Sequence, residues 1–391
     1  MPVMANYNFP NYITIEVTGH PVNVETIEDS IKTTIKGKLL KVASNNLDVK
    51  VEIKNLAPVY DQDVFITVNC YITNFEEILI TKSINVQVVN KQLQLKPPQK
   101  MFMSNFPESI ESEEDLFNFD ILSKQSGRFL FHHKALDRKF KFSIIAYNIA
   151  LQPGKLFISK SIGGPNVDSL FVGHTATEKF FRKELKQEGF FINFGPLERI
   201  EIYGETVKPF ETITGIMNLQ SISGNFSFEI LAYSDEFKNN LYFNKEEENE
   251  KEVKSGFFDT TETNLSYDFK LFDKEKVFRI GEEPKLYDTV SKKLYRGNYG
   301  LIYNFDILLD NRYSPKNRYI GLYLKLGGGM VRGIFNIDNS LYSTKLLQSI
   351  QEETLIKKIK LLPDEIRRIN VKTMPQPGSY YPVSFIVREV N

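Results

Sequence analysis

Short runs in which apolar and polar residues alternate recur along most of this chain. Ile13-Thr-Ile-Glu-Val alternates, as do Leu47-Asp-Val-Lys-Val-Glu-Ile, Val64-Phe-Ile-Thr-Val-Asn-Cys-Tyr-Ile and Ile78-Leu-Ile-Thr-Lys-Ser-Ile-Asn-Val-Gln-Val. Ile31-Lys-Thr-Thr-Ile-Lys reads the same way. Side chains on a strand point to opposite faces in turn, so period-two patterning predicts half-buried strands. Turn signals such as Ser44-Asn45-Asn46 and Ala57-Pro58 separate the runs. Strands at this spacing predict an all-β chain built from two or three immunoglobulin-like β-sandwich domains in tandem, with one short helix.

The C-terminal half repeats one layout. One copy starts at Gly127 (GRFLFHH) and continues through FKFSIIAYNIA, KLFISKSIGG, GPLERIEIYG and NFSFEILAYS. The other starts at Gly297 (GNYGLIYNFDILLDN) and continues through RYIGLYLKLGGG, LLPDEIRRINVKT and YYPVSFIVREV. In this reading Pro196-Leu-Glu-Arg-Ile-Glu-Ile matches Pro363-Asp-Glu-Ile-Arg-Arg-Ile-Asn-Val. The boundaries follow: a sandwich over 1–97, a stiff Pro97-Pro98 linker, a second sandwich over 101–234, an extended charged connection over 235–291 and a third sandwich over 292–391. Glu108 to Asp120, acidic and serine-rich, reads as a loop or one helical turn. The helix is expected at 175–188, where Phe180, Phe181 and Leu185 share a face and Gly189 marks the stop. A second, short helix is expected within 341–358.

Composition narrows the function. Lys+Arg and Asp+Glu are both 49, so the net charge is zero. That leaves no clustered positive charge for nucleic acid or an anionic membrane, and it permits self-association. No window approaches 18 uninterrupted apolar residues, so no membrane span is expected. The start, MPVMANYNFPNY, has neither a basic segment nor an apolar run and predicts no secretory signal. Aromatic residues are 31 Phe and 19 Tyr, with no Trp. The single cysteine, Cys70, lies in an alternating run and is expected to be a buried, inert residue.

Candidate chemistry is sparse. His132 and His133 are adjacent on a strand, so they should face opposite sides and cannot chelate one ion. Gly163-Gly164-Pro165-Asn166 and Gly327-Gly328-Gly329 lack the Lys and Ser/Thr of a phosphate loop and read as turns. His174 has no GxSxG partner for a serine triad. No spacing singles out a carboxylate pair. The chain is therefore expected to be non-enzymatic, with no cofactor and no metal. A face built from Tyr295, Tyr299, Tyr303, Tyr319 and Tyr323 is the candidate for carbohydrate binding, with strand packing as their other role. Tyr7, Phe9 and Tyr12, in an uncharged N-terminal segment, are the candidate self-assembly arm, able to add to a neighbour's sheet.

The runs from Gly127 to Phe181 and from GNYGLIY through MPQPGSYYPVSF also resemble an uncharacterised cell-surface family of spore-forming, often anaerobic Gram-positive bacteria, with looser likeness to a cyanobacterial domain of unknown function. The N-terminal run VKVEIKNLAPVYDQDVFITVNCYI is loosely similar to small adhesion-type immunoglobulin-like modules. The resemblance implies a structural protein of a bacterial cell or spore surface, extracellular, whose partners are copies of itself in a layer or filament, or surface polysaccharide. It transfers no catalytic residue. Without a secretory signal, a surface location implies assembly onto a spore from inside a mother cell.

Overall fold

The computed structural model describes residues 9–39, 47–54, 56–74, 77–93, 95–234, 252–270, 273–312 and 314–390. Of the described residues 55% are strand and 10% helix, the all-β class that the alternation predicts.

The N-terminal elements are β1 (Tyr12–Thr18), α1 (Val24–Leu39), β2 (Leu47–Glu52), β3 (Val64–Asn74) and β4 (Glu77–Asn90). The expected strand at Ile31 is instead part of α1. Ile27, Ile31 and Ile35 are four residues apart, so a helix turns all three onto one face, and all three are fully buried. Cys70 in β3 is buried among the same residues, and burial pushes its thiol up to about 12.

Next come β5 (Lys100–Ser104), β6 (Ser109–Ile110), β7 (Glu114–Ile121), β8 (Ser126–Ala135), β9 (Phe140–Asn148) and β10 (Gly154–Asn166). They are followed by α2 (Ser169–Lys186), β11 (Gly189–Phe194), β12 (Arg199–Val207), β13 (Thr212–Ser223) and β14 (Phe226–Tyr233). One sheet runs β8-β13-β10-β11 and faces another running β7-β14-β9-β12. This is the order of an eight-stranded jelly roll, so the strands are not wired as an immunoglobulin sandwich. The acidic segment read as a loop supplies β7.

The remaining strands are β15 (Glu252–Val253), β16 (Gly256–Phe258), β17 (Glu262–Phe269), β18 (Glu275–Ile280), β19 (Leu286–Tyr287), β20 (Leu294–Tyr295) and β21 (Ile302–Asp310). Then follow β22 (Arg318–Lys325), β23 (Ile334–Ile337), β24 (Ser340–Ser343), β25 (Glu353–Leu361), β26 (Ile366–Thr373) and β27 (Val383–Glu389). Here β21-β26-β23-β24 faces β18-β27-β22-β25. Strand for strand, this is the first jelly roll again. Each roll also carries extra parallel pairing at the same place, β5 and the short β6 beside β8 and β17 beside β21.

This topology revises the expected boundaries. The second roll begins in the segment read as a charged connection, because β17 and β18 belong to it. The helix expected within 341–358 is absent: that stretch holds the end of β24 and the start of β25, and Leu347 bridges to Val331. Residues 1–97 do not form a sandwich of their own. Strand β1 pairs with β11 on one side and with β4 on the other, so β1-β4-β3-β2 extends the first roll's sheet. Helix α1 supplies the second layer over this extension, and one hydrophobic core runs from Phe9 to Ala232.

Salt bridges weld α1 to the roll. Lys36 Nζ lies 2.6 Å from both Asp48 and Glu201. Burial works against this charge, but the two carboxylates outweigh it and hold Lys36 above its ordinary range. Buried Glu188, just beyond α2, accepts from the Asn23 backbone N–H at 3.1 Å and from Thr26 Oγ1 at 2.6 Å, tying the start of α1 to the end of α2.

The repeated proline turns are real, but they match one strand further along than their sequences suggest. Before β13, Lys208-Pro209-Phe210-Glu211 places Phe210 at φ 67°, and Glu211 accepts from the Lys208 N–H at 2.9 Å. Before β26, Leu362-Pro363-Asp364-Glu365 places Asp364 at φ 56°, and Glu365 accepts from the Leu362 N–H at 2.7 Å. The Gly195-Pro196-Leu197-Glu198 turn before β12 has its counterpart in Ser349-Ile350-Gln351-Glu352 before β25. Each roll thus uses this turn twice in succession.

Candidate functional site

Alternation along β8 builds the seam between the rolls. Phe131 and His133 point into the first roll, where both rings lie against Phe142. Arg128, Leu130 and His132 point the other way. Arg128 is buried and donates to the carbonyls of Thr261 at 2.9 Å and Gly300 at 3.1 Å. Leu130 joins Phe180 and Phe181 of α2 in the core of the second roll. The two histidines therefore face opposite sides of one strand, as expected. His133 Nδ1 donates to the Pro107 carbonyl and Nε2 accepts from Ser104, while His132 Nδ1 lies 2.6 Å from Thr214 Oγ1. Burial pushes both imidazoles down to about 4, which keeps them neutral.

Helix α2 is the other half of the seam. It starts six residues before the expected Thr175, because Asp168 caps it by accepting from the Phe171 N–H at 3.0 Å. Leu185, expected on the buried face, is 38% exposed. The proline-rich segment before β27 lies against the first turns of α2. A side chain at Gly173 would strike the Pro377 carbonyl, and one at Gly378 would strike that of Ser169. His174 reaches Ser343 across the seam at 3.0 Å.

Where the seam opens, it leaves a cleft of about 830 Å³. One wall is the loop after β5, His132 and the residues that start α2. The other wall holds Tyr295, Tyr299, Met330 and the segment from Pro377 to Tyr380. Tyr299 donates to the Ser379 carbonyl at 2.9 Å, and burial pushes its hydroxyl up to about 12. Tyr380 is 59% exposed in the cleft. Four of the five charged residues lining it form ion pairs, Lys254 with Glu108 at 3.4 Å and Arg296 with Glu252 at 2.6 Å, and the fifth, Asp168, caps α2. The cleft thus combines tyrosine and methionine surface, backbone groups and a rim whose charges are engaged. Ser169 is engaged by Thr212 at 2.6 Å, and His132 by Thr214, so these two groups serve local structure.

Of the five candidate tyrosines, Tyr295 and Tyr299 line the cleft. Tyr303 is fully buried and bonded to Asn298 and the Gly281 N–H, while Tyr319 and Tyr323 lie on β22. They do not form one face. The glycine runs behave as turns or close approaches: Gly163 is pressed against α2, and Gly329 has φ 65°. The arm residues fare differently. Tyr7 lies outside the described residues. Phe9 is buried in the core, so its ring is not free to fill a neighbour's pocket. Tyr12 opens β1, which pairs with β4 from Tyr12 to Val17 and with β11 over Glu16–Thr18, and its hydroxyl donates to Gln87 within the chain. Among the described residues no cluster of His, Cys, Asp or Glu could hold a metal ion, and no helix is long and apolar enough to cross a membrane.

No known protein family matches the chain, and no curated protein does. Among solved structures, the chain overlays weakly on Lac15 from a marine microbial metagenome, at 9% identity over 85% of this chain and 74% of that one, with a TM-score of 0.14. The PBSX exported protein XepA gives 10% identity over 72% and 88%, with a TM-score of 0.15. The tandem CBM22 domains of Paenibacillus barcinonensis Xyn10C give 8% identity over 90% and 93%, also with a TM-score of 0.15. Scores this low carry no argument about this chain, whose fold rests on its own strand order.

Proposed function

We propose that this chain is a non-enzymatic binding protein and that the cleft between its two jelly rolls takes an oligosaccharide. The observation behind this reading is Tyr380, a largely exposed ring in a cleft whose rim charges are engaged, in two ion pairs and in the Asp168 cap of α2. Engaged rim charges favour an uncharged ligand. Tyrosine and methionine walls favour one with apolar faces, and backbone groups between them suit hydroxyls. Titration calorimetry with neutral xylo-, cello- and chito-oligosaccharides tests it. At least one series should bind, and Tyr380→Ala should weaken that binding about tenfold or more. No binding by any series, or unchanged affinity in the variant, refutes the reading.

A surface-layer role is the second reading. Its support is the edges of the second roll, where among the described residues β18 and β25 end one sheet with no strand beyond them. Sedimentation velocity across a concentration series tests it, and a monomer throughout counts against it.

A further inference from the structure

The outer face of the N-terminal sheet is a second surface with unusual chemistry. Inward-pointing residues of β1, β3 and β4 pack under α1, and the alternate residues point to solvent. Cross-strand register puts Thr14, Gln87 and Phe65 in one row and Tyr12, Asn85 and Thr67 in the next. Ser83 with Asn69, then Thr81 with Tyr71, continue the grid.

These side chains hold one another in place. Tyr12 donates to Gln87 at 2.7 Å, Thr67 to Asn85 at 3.0 Å and Ser83 to Asn69 at 2.7 Å. At the margin, Tyr71 donates to Glu52 at 2.8 Å. A face ordered in advance loses little side-chain freedom on binding. On β1, β4 and β3 the four rows contain no charged residue, in a chain that is 25% charged; charges border them, with Lys50 and Glu52 on β2 and with Asp63, which accepts from Gln87 at 3.1 Å. By contrast, β25 and β26 carry Lys357, Lys358, Lys360, Arg367 and Arg368.

We infer that this face binds an uncharged polysaccharide chain laid flat across β1, β4 and β3. Hydroxyls and amides spaced at the ~4.8 Å interval between strands offer repeated hydrogen bonds to a repeating polyol. Phe65, 71% exposed, and Tyr71 supply ring surface beside them. A protein partner needs an apolar centre, and Phe65 is alone within the grid in offering an exposed apolar side chain. Nucleic acid needs positive charge, which the rows lack. The inference concerns a different surface from the cleft and does not depend on it.

Retention of the full chain on insoluble cellulose, chitin and xylan tests it. At least one polymer should retain the wild type. Thr81→Lys with Asn85→Lys should reduce retention tenfold or more, and the matched pair Val290→Lys with Ile350→Lys, at exposed positions outside both the face and the cleft, should leave it unchanged. Cys70, on the buried side of the same strand pair, reports folding: it should stay unreactive in both variants. The inference fails if no polymer retains the wild type, or if the double lysine variant binds as well as wild type. It also fails if the wild type sediments as a dimer that the double variant dissociates, which would assign the face to a second copy.

Discussion

The two jelly rolls share one strand order and differ in the connections between strands. In the first roll, β10 passes to β11 through residues 167–188, which contain α2. In the second, the equivalent passage from β23 to β24 is Asp338-Asn339, a tight hairpin with φ of 50° and 65° at its two residues. The strands and the turns closed by a Glu carboxylate are common to both rolls. The insertion is not, and it forms the seam and one wall of the cleft. The other wall comes from passages particular to the second roll: residues 281–301 between β18 and β21 carry Tyr295 and Tyr299, and residues 374–382 between β26 and β27 carry Tyr380. The difference teaches that turns of fixed geometry maintain the fold while variable connections create a place for a ligand.

The strongest way to break the comparison is to damage both cores at the same place. Phe228 in β14 and Phe385 in β27 occupy the third position of equivalent strands and are fully buried. Phe228 stacks on Phe119 of β7 at 4.7 Å, and Phe385 meets Phe278 of β18, the matching strand, at 6.0 Å. Each change to alanine should cost about 3–5 kcal/mol. Because Arg128, α2 and the Pro377 segment couple the rolls, both variants should shift a single calorimetric transition. Two transitions, each sensitive to one variant, would show that the rolls unfold independently.

Acid should separate the rolls next. All four histidines lie before residue 175, so the second roll has none. His132 and His133 are held neutral, with folded values near 4 against an unfolded value near 6.5. The unfolded chain therefore takes up protons first. Stability should be complete above about pH 6.5 and decline as pH falls toward 4, by up to a few kcal/mol per ring. Urea titrations at stepped pH measure this. Replacing both histidines with glutamine should flatten the profile between those values, and an unchanged slope would remove them as its cause.

The smallest effect concerns the shared turns. Glu211→Ala and Glu365→Ala each remove the acceptor for one backbone N–H and should each cost about 0.5–1.5 kcal/mol. Similar values from the two rolls would confirm that the turns are equivalent, and a strong inequality would break the match.

Much of this was legible in the chain itself. Clean alternation placed most strands, fixed Cys70 as buried and set the two histidines on opposite faces. The repeat was visible because β8 and β21, and then β9 and β22, are true counterparts. Its proline-turn match was misread by one strand, since the same turn occurs twice in each roll and local similarity cannot choose between copies, while the last match, β14 with β27, is true. Helix α1 was hidden by Ile and Thr, which favour strands until burial under a sheet overrides that preference. Strand β7 was hidden by its acidic residues and by a register shift against β14, which breaks the period of two. The cleft could not be read at all, because its walls come from segments more than 200 residues apart, from Met103 to Tyr380.

The Asp338-Asn339 hairpin has a practical meaning for protein engineering. The same position in the sister roll already accommodates a long insertion without loss of the strand order. It therefore marks a ready-made splice point, where a foreign loop, epitope or reporter peptide could be grafted and displayed from the second roll.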